Sequence, residues 1–97
     1  MTIAQTILSQ LGGNRFAVMT GAKNFLDGGN YLFFSIGRNS TKINRVRITL
    51  MGDDTYTVEF LRNYKLELKE VVAPIVGVYA EQLQAIFKKH TGMDTHL

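Results

Sequence analysis

Apolar and polar positions change rhythm along this chain, from a helical step to alternation and back. Ile3, Ile7, Leu8 and Leu11 recur at three- and four-residue steps, so they share one face of a helix. Thr2 with Gln5 three residues later is a capping-box pattern, and Gly12 and Gly13 are the residue type that readily turns left-handed after a helix. The pattern predicts a helix over 3–11. At the other end Val76, Tyr79, Ala80, Leu83, Ile86, Phe87 and His90 repeat at the same steps, with Glu81, Gln84, Lys88 and Lys89 mostly on the opposite side. This predicts a second helix, preceded by Pro74, with cations in its last turn and Gly92 as its stop.

Between the helices the period is two. Residues 16–20 (FAVMT) and 31–36 (YLFFSI) read as apolar strands, separated by a turn at Gly21 to Asn24 and the turn-forming run Asp27-Gly28-Gly29-Asn30. Val46, Ile48 and Leu50 then alternate with Arg45, Arg47 and Thr49, and Tyr56, Val58 and Phe60 with Thr55, Thr57 and Glu59. Leu66 and Leu68 alternate with Lys65, Glu67 and Lys69. One buried and one wet face per strand is the antiparallel pattern.

Residues opposite one another across a hairpin point to the same face, so the register follows from the alternation. Leu50 opposite Tyr56 leaves Gly52-Asp53-Asp54 as the loop and sets Arg47 against Glu59. Phe60 opposite Leu66 leaves Arg62-Asn63-Tyr64 as the next loop. The expected fold is α+β, a single domain over 1–97, ordered α-β-β-β-β-β-α, with a meandering antiparallel sheet and both helices on one face.

Composition narrows the chemistry. Of 97 residues, 45% are hydrophobic and six are Phe, which suffices for one core, and the absence of Cys leaves no disulfide, thiolate metal site or thiol nucleophile. No window approaches the roughly 20 apolar residues of a membrane span, so the expectation is a cytoplasmic protein, with no membrane partner. The net charge is +3, and its placement is uneven. Residues 48–97 carry five Lys or Arg against seven Asp or Glu, whereas Arg15 and Lys23 are the only charges in 1–26 and Arg38, Lys42, Arg45 and Arg47 stand in 37–47 without an acid.

That basic window is the main candidate site. Arg45 and Arg47 point the same way on one strand, Arg38 and Lys42 lie in the preceding loop, and Asn39, Ser40, Thr41 and Asn44 add neutral donors suited to phosphate or sugar. Arg15 and Lys23 join the patch only if they lie at the same end of the sheet. Such a patch suits nucleic acid or an acidic, nucleic-acid-associated host protein. Against it, Arg47 also suits an ion pair with Glu59, and aromatics for stacking are few, with Tyr31, Phe33 and Tyr64 as the exceptions to the buried phase.

The remaining motifs point away from catalysis. Thr20-Gly21-Ala22-Lys23-Asn24 lacks the spacing and following helix of a phosphate-binding loop. Asp53 and Asp54 have a sufficient role in their hairpin loop, His90, Asp94 and His96 match no recurrent metal site, and no nucleophile has a base beside it. No cofactor or enzymatic activity is expected. An open sheet face or edge suits a partner strand or a second copy of the chain, and 31–36, apolar on both phases, is either a covered central strand or a contact surface.

The segments LGGNRFAVMTGAKNF and INRVRITLMGDDTYTVEF, with the ending VYAEQLQAIFKKHTGM, resemble a family of small proteins carried by bacteriophages and other bacterial mobile elements. The resemblance spans nearly the whole chain. It implies a setting, an accessory protein inside a bacterium that binds nucleic acid or inhibits a host factor, and it assigns no residue a role.

Overall fold

In the computed structural model of the protein, which describes residues 2–93, the chain opens with the expected helix. Helix α1 (Ile3–Leu11) has its full capping box: the Thr2 hydroxyl accepts from the Gln5 N–H at 3.1 Å, and the Gln5 carboxamide accepts from the Thr2 N–H at 2.9 Å. Gly12 ends it at a φ of 127°. Gly13 then starts another helix. Helix α2 (Gly13–Thr20) replaces the strand expected over 16–20. Phe16 and Thr20, four residues apart, are both buried, and the Thr20 hydroxyl donates to the Phe16 carbonyl at 2.7 Å. Val18, between them, is 81% exposed. A repeat of four seen once in five residues looks like alternation, and contact with the core decides between them.

Strand β1 (Lys23–Asp27) lies where a turn is expected. All five residues are exposed and Asn24 sits at a φ of 58°, so the segment has no buried alternation to betray it. Strands β2 (Tyr31–Ser35), β3 (Arg45–Leu50) and β4 (Tyr56–Tyr64) follow. The expected β3–β4 register is the one observed, with Leu50 opposite Tyr56, Ile48 opposite Val58, Val46 opposite Phe60 and Arg47 opposite Glu59.

The next hairpin differs. Strand β4 continues through the expected loop to Tyr64, and β5 (Glu67–Glu70) pairs with Tyr64 opposite Glu67 and Leu61 opposite Glu70. The turn is only Lys65-Leu66, both left-handed at φ 50° and 67°. Such a mirror-image turn matches strand twist but ordinarily uses Asn-Gly, so Lys-Leu gives no sign of it. Leu66 and Leu68 do not reach the core. The flank of β4 beside Tyr56 and Val58 is instead taken by β6 (Ile75–Val78), which occupies the start of the expected final helix. After a 3₁₀ turn (Ala80–Gln82), helix α3 runs from Leu83 to Thr91.

The result is an α+β fold with a six-stranded antiparallel sheet, ordered β1-β2-β3-β4-β5 with β6 also on β4. Apolar side chains of all three helices meet Leu32 and Phe34 of β2, Val46 and Ile48 of β3, and Tyr56, Val58 and Phe60 of β4 in one buried cluster. Phe16 is its hinge. Its ring meets Phe34 edge-on at 5.6 Å and Phe87 at 5.0 Å, geometries that aromatic quadrupoles favour. The radius of gyration, 12.2 Å, matches the roughly 12.5 Å of a folded domain of this length. Among the described residues no helix is long and apolar enough to cross a membrane.

Candidate functional site

The loop between β2 and β3 is tied down on three sides. At its start the Gly37 N–H donates to the Thr20 carbonyl at 2.8 Å, and a Cβ on Gly21 would lie 3.3 Å from the Gly37 backbone. A side chain there would be tight against Gly37 and strained at the φ of 68° that ends α2, which glycine adopts freely. In the middle, the Asn39 carboxamide donates to the carbonyls of Gly37, at 3.1 Å, and Ile43, at 2.7 Å. Its oxygen accepts from the Thr41 N–H at 3.0 Å and from the Thr41 hydroxyl. At its end, the Asn44 side chain donates to the Asn63 carbonyl at 3.1 Å and accepts from the Asn63 N–H at 2.7 Å, standing in for a backbone pair. The buried Ile43 anchors the whole.

On this frame the exposed Arg38 and Lys42 face Arg62 of β4 across a surface groove of about 290 Å³, lined also by Ile36, Asn39 and Asn44. Arg62 belongs to a second hollow as well, of about 140 Å³, with Tyr64, Glu67 and Lys69 on the β4–β5 arm. Its guanidinium carbon lies 4.9 Å from the centre of the Tyr64 ring, and the Lys65 ammonium 5.3 Å from it. A track of cations therefore runs from the loop to the arm. None of Arg38, Lys42, Arg62 and Lys65 is ion-paired among the described residues.

The other sequence candidates lie elsewhere. Arg47 makes a bidentate pair with Glu59, both bonds at 2.8 Å, with side chains 36% and 15% exposed. Those hydrogen bonds, ahead of Glu59's charge, raise the Arg47 guanidinium above its already high ordinary pKa, and the charges of Tyr31 and Glu70 add to this. Arg45 donates to the Asn44 carbonyl at 2.8 Å and stands between Ser35 and Leu61 on the face away from the core. Arg15 borders a separate hollow on α2 with Asn14, Val18 and Met19. Lys23, opposite Ser35, is exposed at the sheet end from which the β2–β3 loop leaves, yet it does not line the groove. The asparagines expected to offer free donors are bound internally.

Arg62 and its neighbours are what the sequence reading misses, because 62–64 look like a loop. A signal exists: the even phase Tyr56-Val58-Phe60 continues as Arg62-Tyr64, so the apolar stripe of a long strand gives way to a cation and an aromatic.

Asp53 and His90 have structural partners. Asp53 accepts from the Thr55 hydroxyl at 2.6 Å and the Thr55 N–H at 3.1 Å, which hold its carboxyl below the usual range, the hydroxyl first. The His90 ring stacks on Phe60 at 5.1 Å, and Asp94 and His96 lie outside the described residues. Compared with protein-family models, curated proteins and solved structures, the chain matches none.

Proposed function

We propose that the protein is a non-enzymatic binding module that contacts the phosphate backbone of nucleic acid through the Arg38–Lys42–Arg62 groove. The observation that carries this reading is the convergence of three cations without ion-pair partners, from two separate segments, on a loop already stiffened by Asn39 and Asn44. A loop backbone held in place beforehand loses little freedom on meeting phosphates, and the released counterions supply the binding energy. The proposed setting is the one that the sequence resemblance implies, an accessory role in the bacterial cytoplasm.

The test is a titration of a random-sequence duplex over a range of salt. Three phosphate contacts give a slope of log K against log salt of roughly −3, and Arg62→Ala reduces it by about 1. No binding at low salt overturns the reading. A second reading rests on β1, an edge strand whose every residue is exposed, Phe25 and Leu26 included, which suits a partner strand or a second copy of the chain. That reading gains if the protein ignores nucleic acid and a charge placed at Leu26 abolishes a dimer seen by light scattering.

A further inference from the structure

The tip of the β4–β5 arm is costly for the fold and serves no packing purpose within it. Leu66 holds a left-handed backbone at φ 67°, a conformation that strains a side chain with a Cβ, while its own side chain is fully exposed. Lys65 beside it is left-handed too. Glycine or asparagine at 66 makes the same turn with less strain, and exposing a leucine offsets none of that cost. The apolar tip is flanked by cations. Arg62 and Lys65 rest on Tyr64, and Lys69 stands across from Arg62. Of the two nearby carboxylates, Glu67 is paired with Lys69 at 3.1 Å, and Glu70 lies where its charge acts on Arg47.

We infer that Leu66 is a wedge that inserts between stacked base pairs of a duplex while Arg62 and Lys65 hold the phosphates on either side. Nucleic acid, rather than an apolar protein pocket, is favoured because the track of unpaired cations leads from the groove to this tip. The inference rests on the reading proposed above. Proteins that insert an apolar side chain in this way unstack one step and kink the duplex by roughly 20–90°.

The experiment is energy transfer between dyes at the two ends of a short duplex, titrated with the full chain. Wild type bends the duplex, Leu66→Gly and Leu66→Asn bind it without the bend, and Val18→Ser, an exposed apolar change elsewhere, bends it as wild type does. Because the turn is relaxed, Leu66→Gly also melts higher, by roughly 4 °C. Better folding with lost bending is what a merely structural leucine does not give. Wild-type binding with an unbent duplex, or equal bending by Leu66→Gly, overturns the wedge and leaves the groove standing. No binding of any oligonucleotide overturns both. If Leu66→Gly instead dissociates a self-associated species and bending is absent, the tip is a protein contact and the wedge falls.

Discussion

Asp53 shows how a polar residue in a loop is explained by its nearest atoms. Two hydrogen bonds from Thr55 favour its ionised form, so its folded pKa lies below the ordinary 3.8. A depressed carboxyl contributes stability that is complete above its unfolded value and is lost as pH falls through the folded one. The Thr55 amide resonance therefore moves in acid, at a midpoint below pH 3.8, and Asp53→Ala removes that transition while leaving the resonances of the distant α1 helix in place. At this scale Asn39 and Asn44 are more instructive still. Their type and position in a basic window suggest ligand donors, and only the folded loop reveals that their carboxamides are spent on Gly37, Ile43 and Asn63.

At the scale of elements, the contact between the end of α2 and the start of the β2–β3 loop links a helix to the site. Gly21→Ala places a Cβ 3.3 Å from the Gly37 backbone and forces a left-handed alanine, a destabilisation of about 1–2 kcal/mol. Urea unfolding measures it, and the proposed salt-dependent binding weakens with it if the loop that carries Arg38 shifts at Gly37. The elements legible in the sequence are those with a long or capped pattern. Helix α1 has both its cap and its stripe, and β3 and β4 have three alternating pairs each, enough to set their register. Helix α2 and strands β1 and β6 were not legible. Strand β1 has no buried residue, and β6 contains Val76, the first residue of the helical step read from the sequence, until its pairing with β4 settles the matter.

For the molecule as a whole, the decisive fact is which cations the fold consumes and which it leaves facing outward. Arg47, partly shielded and held by two bonds, belongs to the sheet, so Arg47→Ala lowers stability by about 1 kcal/mol in chemical denaturation and leaves nucleic-acid affinity and its salt slope unchanged. Arg62→Ala does the reverse. A matched pair of denaturation and binding curves separates the two, and an Arg47 variant that binds less while folding normally returns the site to the β3 face.

The sequence by itself determined the α+β class, the capped first helix, the β3–β4 register with its Arg47–Glu59 pair, and the concentration of cations without an acid in residues 37–47. Each depends on neighbours within a turn or a hairpin, where spacing alone dictates which side chains meet. Only the tertiary structure decided that α2 is a helix, that β6 takes the flank of β4, and that Arg62 rather than Arg45 or Arg47 completes the groove. Those outcomes turn on competition between distant segments for the same hydrogen bonds and the same core, and a local pattern holds no record of a competitor far along the chain.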